Sequence, residues 1–328
     1  MKAISIPTFG DADVLQVANV ADPVLRPHDL LVRNHAAGVN RADVIQRQGS
    51  YGRANFGDSD IMGLEIAGEV VAVGDEVDGY LVGDRVMGIV GGGGYAELAR
   101  IDYRMAMHIP AEMNYIDAGA IPEVFVTAHE ALFHLANLKA GERVLIHAAA
   151  SGVGSAAIQL AAASGAQVFV TASGSKLPQL QALGASVCID YKSEDFHAVV
   201  KEKTEGRGVD VIVDFVGAPY FERNIQSLAN GGRLVQVGLL GGGAGVQVPL
   251  DRILYGHLKI IGTVMKSRTQ PEKHAMVRRF REHWLDRFAA SGLKPVVDSV
   301  YPLESAAVAH RRMESNQSVG KIILTMAD

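Results

Sequence analysis

The sequence predicts an α/β protein of two domains, one β-rich and the other built on a doubly wound parallel sheet. Three observations carry that expectation. Residues 1–122 read as short Val/Ile/Leu segments separated by Gly-Asp and Gly-Gly turns, and from Glu123 onward strands alternate with helices. In addition, Leu145–Leu160 passes from an apolar strand through a run of small residues into a helical pattern.

In the first stretch, strands are expected at Leu30–Arg33, Glu65–Val73 and Arg85–Val90, with one helix at Arg41–Arg47. They suggest a barrel-like unit. The Gly91–Gly94 run must be a flexible turn or a close approach of two backbones. The alternation that follows runs strand Arg143–His147, helix Ser151–Ser164, strand Gln167–Thr171, helix Lys176–Leu183 and strand Val187–Ile189. It continues with helix Phe196–Glu202, strand Val209–Val213, helix Tyr220–Leu228 and strand Arg233–Val237. Such units connect by right-handed crossovers and make a parallel sheet. After a strand at Leu258–Val264, a long helix at Glu272–Ala290 leads to Val296–Tyr301, helix Glu304–Glu314 and a last strand, Lys321–Thr325. There the chain is expected to return to its first domain. The expected division is 1–122 with 266–328 for the first domain and 123–265 for the second.

With 328 residues, 48% hydrophobic and 20% charged, the chain can bury two substantial cores. A net charge of -5 gives no general attraction to nucleic acid or anionic membrane, so neither is expected as a partner. The single cysteine, Cys188, excludes an internal disulfide and a thiolate cage for zinc; it points to a reducing compartment and is read as an inert buried thiol. The opening Met1–Pro7 turns polar at once and lacks a signal peptide's apolar core, and no run reaches membrane-spanning length. A cytoplasmic location is expected.

The small-residue turn has a physical purpose if a dinucleotide binds there. Backbone N–H groups at the helix N-terminus must approach two phosphates, and a large side chain in the turn would hold the ligand off. The small residues from Ala148 through Ala157 satisfy that requirement. A GxGxxG alignment ending at Gly154 places Ala149 and Ser151 at the first two glycine positions. A buried contact between small residues is the competing explanation. The second strand of the unit ends Val170-Thr-Ala-Ser173-Gly174-Ser175-Lys176, without the acid that accepts hydrogen bonds from both ribose hydroxyls of NAD. Hydroxyls and a cation at Ser173, Ser175 and Lys176 suit a 2'-phosphate, so NADPH is expected over NADH. The alternative is an ordinary helix cap with a solvated lysine.

Five segments together carry a family resemblance: Val39–Tyr51, Gly63–Gly68, Ala120–Glu123, His147–Gly154 and Met313–Ile322. On them the chain resembles the zinc-independent quinone oxidoreductases of the medium-chain dehydrogenase/reductase superfamily, and within these the p53-inducible quinone oxidoreductase subgroup. The resemblance runs nearly end to end. It implies a GroES-like catalytic domain made from both chain ends, a Rossmann cofactor domain between them, and a homodimer, or a tetramer built from it, joined through the Leu258–Val264 strand. It also implies that Ser151, Gly152 and Val153 meet the pyrophosphate while Gly154 lets the helix pack closely. Gly174, Lys176 and Tyr191 resemble the 2'-phosphate pocket, with Ser173 in reversed order relative to the subgroup's Gly-Ser. Asn40 and Thr127 resemble contacts to the nicotinamide half, and Gly217, Gly238 and Leu239 sit at later strand ends facing it. Met265, Lys266, Ser267 and Asn316 match late cofactor contacts.

Zinc enzymes of the same superfamily hold a metal with a Cys, a His from Gly-His-Glu and a further Cys or His; here Leu64 stands at that His and Cys188 is distant. No metal site is therefore expected. His129 and His134 are five apart, diverge on a helix, and are read as partly exposed helix residues. Without a Lewis acid the fitting acceptor is a quinone, whose reduced ring gains aromaticity. NADPH would supply the hydride, with Tyr51 orienting the developing oxyanion, Asn40 assisting and Ser151 placing the cofactor. Asp43 and Glu65 are assigned to supporting hydrogen bonds, and the proton is left to solvent. The competing functions are NADPH-dependent reduction of an enone or enoyl double bond, and a non-catalytic NADPH- or RNA-binding role, for which no basic stripe speaks.

Overall fold

A computed structural model of the chain describes residues 1–50, 59–290 and 292–326. The chain divides into two units, Met1–Val126 with Arg268–Asp328, and Thr127–Ser267. Its first segment carries β1 (Lys2–Ser5), β2 (Gln16–Asn19), β3 (Asp29–Val39), α1 (Arg41–Arg47) and β4 (Glu65–Val73). It continues with β5 (Arg85–Ile89), β6 (Leu98–Asp102), β7 (Ala106–His108), α2 (Tyr115–Ala118) and α3 (Pro122–His129). The second unit supplies β8 (Arg143–Ile146), α4 (Gly152–Ala163), β9 (Gln167–Ala172), α5 (Leu177–Ala182), β10 (Val187–Asp190) and α6 (Phe196–Lys203). Then come β11 (Val209–Asp214), α7 (Ala218–Ser227), β12 (Leu228–Gln236), α8 (Leu250–Tyr255) and β13 (Lys259–Gly262). The closing segment holds α9 (Gln270–Ala289), β14 (Val297–Pro302), α10 (Ala306–Glu314) and β15 (Lys321–Thr325).

The first unit is held by a mostly antiparallel sheet in the order β14-β15-β3-β4-β5-β7, with β6 also paired to β3. β3 is long enough, at 11 residues, to pair with three strands. Its pairing with β15, Ile322 opposite Val39 and Leu324 opposite Ala37, ties the chain's two ends into one sheet. The core on this sheet gathers Ile4, Val39, Tyr95, Leu303, Ala309, Ile322 and Leu324. Each large aliphatic among them contributes about 1.5–3 kcal/mol by leaving water. The Gly91–Gly94 run is a close backbone approach: a Cβ on Gly94 would lie 2.9 Å from the Gly63 carbonyl carbon, and Gly63 itself has φ +96°. No side chain fits between these strands.

The second unit is an all-parallel sheet in the order β10-β9-β8-β11-β12-β13. Its middle strands are buried on both faces, which explains their near-continuous Val/Ile/Leu sequence. The strand order runs outward in opposite directions from β8 and β11, so the carboxyl ends of these two neighbours form the switch point where ligands bind in such sheets.

Several elements differ from the sequence expectation. α2 and the start of α3 were not foreseen, while His129–His134 do lie on a helix, which continues α3 as a wider π-helical turn over Glu130–Leu135. α3 is apolar nearly all round and lies mostly buried, so it shows no amphipathic period. His129 is correspondingly buried at 4% exposure, not partly exposed, whereas the His134 side chain is exposed. α9 starts earlier than expected, at Gln270, because Thr269 and Glu272 close its N-terminus with a 2.8 Å bond from the Thr269 N–H. No helix among the described residues is long and apolar enough to cross a membrane.

Candidate active site

The turn after β8 is shaped by its backbone. His147 N–H donates to Val213 O and Ala149 N–H to Thr171 O, so the chain stays in register with β11 and β9 past the end of the strand. Ala148 then takes φ +47°, a left-handed conformation that costs a β-carbon roughly 1–2 kcal/mol. Ser151 caps α4, its Oγ accepting from Gly154 N–H at 3.1 Å. By helix geometry the Gly152 and Val153 N–H groups open from the helix's positive end. A Cβ on Gly154 would lie 2.6 Å from Ala149 Cα, so only glycine lets α4 pack this closely on the turn. With Ser151 exposed and Gly152 and Val153 partly so, these residues fit a dinucleotide pyrophosphate.

A buried polar network fixes the strand ends around this turn. Asp214, at the end of β11, accepts from Val216 N–H at 2.7 Å, Gly217 N–H at 3.1 Å and Asn224 Nδ2 at 3.2 Å. The Asn224 amide oxygen therefore faces His147 Nε2 at 2.7 Å, and His147 Nδ1 meets Thr171 Oγ1 at 2.8 Å. Burial lowers the His147 pKa, which keeps the ring neutral. Its proton then sits on Nε2, donating to Asn224, while Nδ1 accepts from the threonine hydroxyl. β8, β9, β11 and α7 are locked together by this chain of bonds. Sequence reading missed it, since a lone His, Asp or Asn in an apolar strand or helix carries no periodic signal.

At the end of β9, Ser173 leads into a tight turn over Gly174–Lys176, closed by Lys176 N–H to Ser173 O at 2.9 Å. Tyr191, just beyond β10, is 47% exposed. The segment Ser173–Lys176 holds no acid of its own, but β10 brings one to it: a Cβ on Gly174 would lie 2.6 Å from Asp190 Oδ2. Further along the same sheet, Gln236 Nε2 donates to Gly238 O at 2.7 Å, Leu239 is 58% exposed, and Met265, Lys266 and Ser267 form a single turn after β13.

In the first unit Asn40 is tied into a charged cluster. Lys321 Nζ, almost wholly buried, donates to Val39 O at 2.9 Å, Asn40 Oδ1 at 2.8 Å and Glu65 Oε1 at 2.5 Å. Asn40 Nδ2 donates to the same Glu65 oxygen at 2.8 Å, and Glu123 N–H donates to Glu65 Oε2 at 2.9 Å. Asp43 accepts from Asn40 N–H at 2.8 Å and from Tyr95 O–H at 3.0 Å, and the Tyr95 oxygen meets His310 Nε2 at 3.2 Å. Burial, with Arg47 and Arg41, pushes His310 down to about 3, so the ring is neutral and its Nε2–H donates to Tyr95. Burial raises Asp43 to about 7 and Glu123 to about 8, the latter with help from the Glu65 charge. Asp43 and Glu65 thus do make the hydrogen bonds expected of them. Asn40 has both ends of its amide engaged within the cluster.

The remaining sequence candidates fall as follows. Tyr51 lies outside the described residues. Thr127 stands in α3, half-buried, and Asn316, at φ +55°, accepts from Arg41 at 2.8 Å. Cys188 is half-buried rather than buried, and burial raises its thiol pKa, so a thiolate is disfavoured. Leu64 is a buried apolar side chain, and both Glu65 oxygens are taken by protein donors. No three His, Cys, Asp or Glu side chains come together as a ligand set among the described residues, so the donors present do not fit a zinc ion.

Residues 26–111 match the alcohol dehydrogenase GroES-like domain, and residues 152–282 match the zinc-binding dehydrogenase domain. Human quinone oxidoreductase is 31% identical over 331 residues, covering 99% of this chain and 98% of that protein. The chain belongs to the quinone oxidoreductases of the medium-chain dehydrogenase/reductase superfamily. Among solved structures of such proteins, the Escherichia coli quinone oxidoreductase complexed with NADPH is similar at a TM-score of 0.89 and 28% identity, covering 99% of this chain and all of that one. The CurK enoyl reductase is similar at 0.89 and 27%, covering 99% of each chain. The chain therefore has a GroES-like unit closed by both chain ends and a Rossmann-type unit suited to a nicotinamide cofactor.

Proposed function

We propose that the chain is a zinc-independent, cytoplasmic NADPH:quinone oxidoreductase of the p53-inducible subgroup. The observation that carries the reading is the occupied donor set of the first unit. Glu65 spends both oxygens on Lys321, Asn40 and the Glu123 N–H, and apolar Leu64 stands beside it, which suits an acceptor needing no Lewis acid. A quinone is such an acceptor, because its reduced ring gains aromaticity. Bound NADPH supplies the hydride. Ser151, Gly152 and Val153 bind the pyrophosphate, with Gly154 setting the helix distance; Ser173, Gly174, Lys176 and Tyr191 take the 2'-phosphate. Thr127, Gly217, Gly238, Leu239, Met265, Lys266, Ser267 and Asn316 border the rest of the cofactor, and Tyr51 orients the acceptor oxygen near Asn40.

A homodimer is part of the proposal. β13 is the edge strand of its sheet, no described strand pairs on its outer side, and Ile260 on it and Val264 just beyond it are each 44% exposed. A second copy pairing on that edge would cover both. The second reading, reduction of an activated double bond, is favoured by the likeness to the CurK enoyl reductase. Steady-state kcat/KM for ortho- and para-quinones against an alkenal separates the two. Higher values for the quinones support the proposal, and a far higher value for the alkenal reverses it.

A further inference from the structure

Glu123 carries a carboxyl group that the fold does not use. Its contact to Glu65 is made by the backbone N–H, and any residue except proline would make it. Its Oε2 is buried without a hydrogen-bond partner among the described residues, although the residue as a whole is only half-buried. The surrounding charges come from four elements: Glu65 on β4, Asp43 on α1, Lys321 on β15 and Lys273 on α9. Lys321 is committed to Glu65 at 2.5 Å, and Asp43 takes the Asn40 N–H and the Tyr95 hydroxyl on Oδ2, its Oδ1 being buried without a partner among the described residues. Three carboxyl groups therefore share one directly bonded cation, and Glu123 has neither cation nor donor at its buried oxygen. An ionised carboxylate would be an uncompensated charge there, whereas the protonated acid carries no charge to compensate.

We propose that Glu123 is a further catalytic residue, the acid that protonates the acceptor as it is reduced; this rests on the quinone reading above. Its backbone N–H and Asn40 Nδ2 both bond Glu65, and its carboxyl feels the Glu65 charge, so Glu123 stands beside the Asn40 to which the reading above assigns the acceptor. Hydride from the cofactor delivers two electrons and one hydrogen to the quinone. The Glu123 O–H bond breaks, its proton forms the new O–H bond of the hydroquinone, and the carboxylate left behind is reprotonated from water. Burial and the neighbouring carboxylates hold the acid form up to about 8, so it is loaded at neutral pH. Asp43, raised to about 7, accepts from the Asn40 N–H and the Tyr95 hydroxyl and so holds the start of α1 beside it.

The test compares wild type with Glu123→Gln and Glu123→Asp. In the ligand-free wild-type protein, infrared difference spectra between pH 6 and pH 10 should show a protonated-carboxyl band that titrates near pH 8 and is missing in Glu123→Gln. With NADPH and a para-quinone, wild-type kcat should fall tenfold per unit above about pH 8 and show a solvent deuterium isotope effect. Glu123→Gln should lose both features along with roughly 10²-fold in kcat, with NADPH Kd within twofold, while Glu123→Asp should keep the alkaline limb. A wild-type spectrum without the band overturns the proposal, and so does a Glu123→Gln variant that keeps the alkaline limb. A wild-type protein that turns over no quinone overturns the functional reading and the donor with it, and is told apart because the variants then have no rate to lose.

Discussion

Lys176, just after β9, and Asp190, at the end of β10, bring opposing charges to the proposed 2'-phosphate pocket. If Lys176 meets a 2'-phosphate, Lys176→Ala should weaken NADPH binding about 10- to 100-fold, the value of one charge-assisted contact, and change NADH binding by less than twofold. Equal losses for both cofactors, read by fluorescence titration, would show that the lysine faces elsewhere. Asp190 lies against Gly174 and repels a phosphate placed there. Asp190→Asn should therefore raise the NADPH-to-NADH ratio of kcat/KM severalfold, and an unchanged ratio removes Asp190 from the pocket. The sequence offered Ser151, Gly154 and Lys176 as candidates, because each follows a strand within a short motif. It could not show Asp190 beside Gly174, nor Lys321 beside Glu65, since both pairings are made by tertiary structure; the latter spans 256 positions.

Among the elements, α7 is the one whose loss of a single bond should be most informative. Asn224 on this helix links Asp214 on β11 to His147 after β8. Asn224→Leu leaves a buried imidazole N–H without an acceptor and takes one of three donors from a buried carboxylate. The expected cost is about 1–3 kcal/mol per orphaned group. Urea unfolding of the full chain checks this, and a variant as stable as wild type would mean that water replaces the amide. Elements with one solvated face, such as α6 and α10, were legible from periodicity. The start of α3 was not, because helices apolar on most faces read like buried strands or loops.

For the whole molecule, pH dependence follows from which carboxyl groups are raised and which are lowered. Asp43 and Glu123 stand at about 7 and about 8, above the ordinary values near 4 of the unfolded chain. Between about pH 4 and pH 8 the folded protein binds more protons at these two groups, so the stability they contribute declines as pH rises through that window. Asp102, Glu142 and Asp298 act in reverse: burial opposes them, but Arg104, Arg233 and Arg312 hold their pKa values down, and their contribution disappears as the pH falls below about 4. Glu123→Gln should gain stability relative to wild type as pH rises from 5 to 9. Melting-temperature differences that stay constant across that range would contradict the assignment. At this scale the change of rhythm after Pro122 was enough to separate a β-rich unit from a parallel-sheet unit. The return of the last strand to the first domain was expected from the order of elements and implied again by the family resemblance, but no local pattern specifies its pairing with β3.

The central claim is that this chain moves reducing equivalents from NADPH to a quinone without a metal. Single-turnover stopped-flow tests it most directly, mixing chelator-treated protein loaded with NADPH against a para-quinone and following reduced-nicotinamide absorbance alongside hydroquinone formation. The account predicts one NADPH oxidised per hydroquinone formed at a rate unchanged by chelation. NADPH absorbance that stays level beyond the protein-free control, or decays only after zinc is restored, would contradict it.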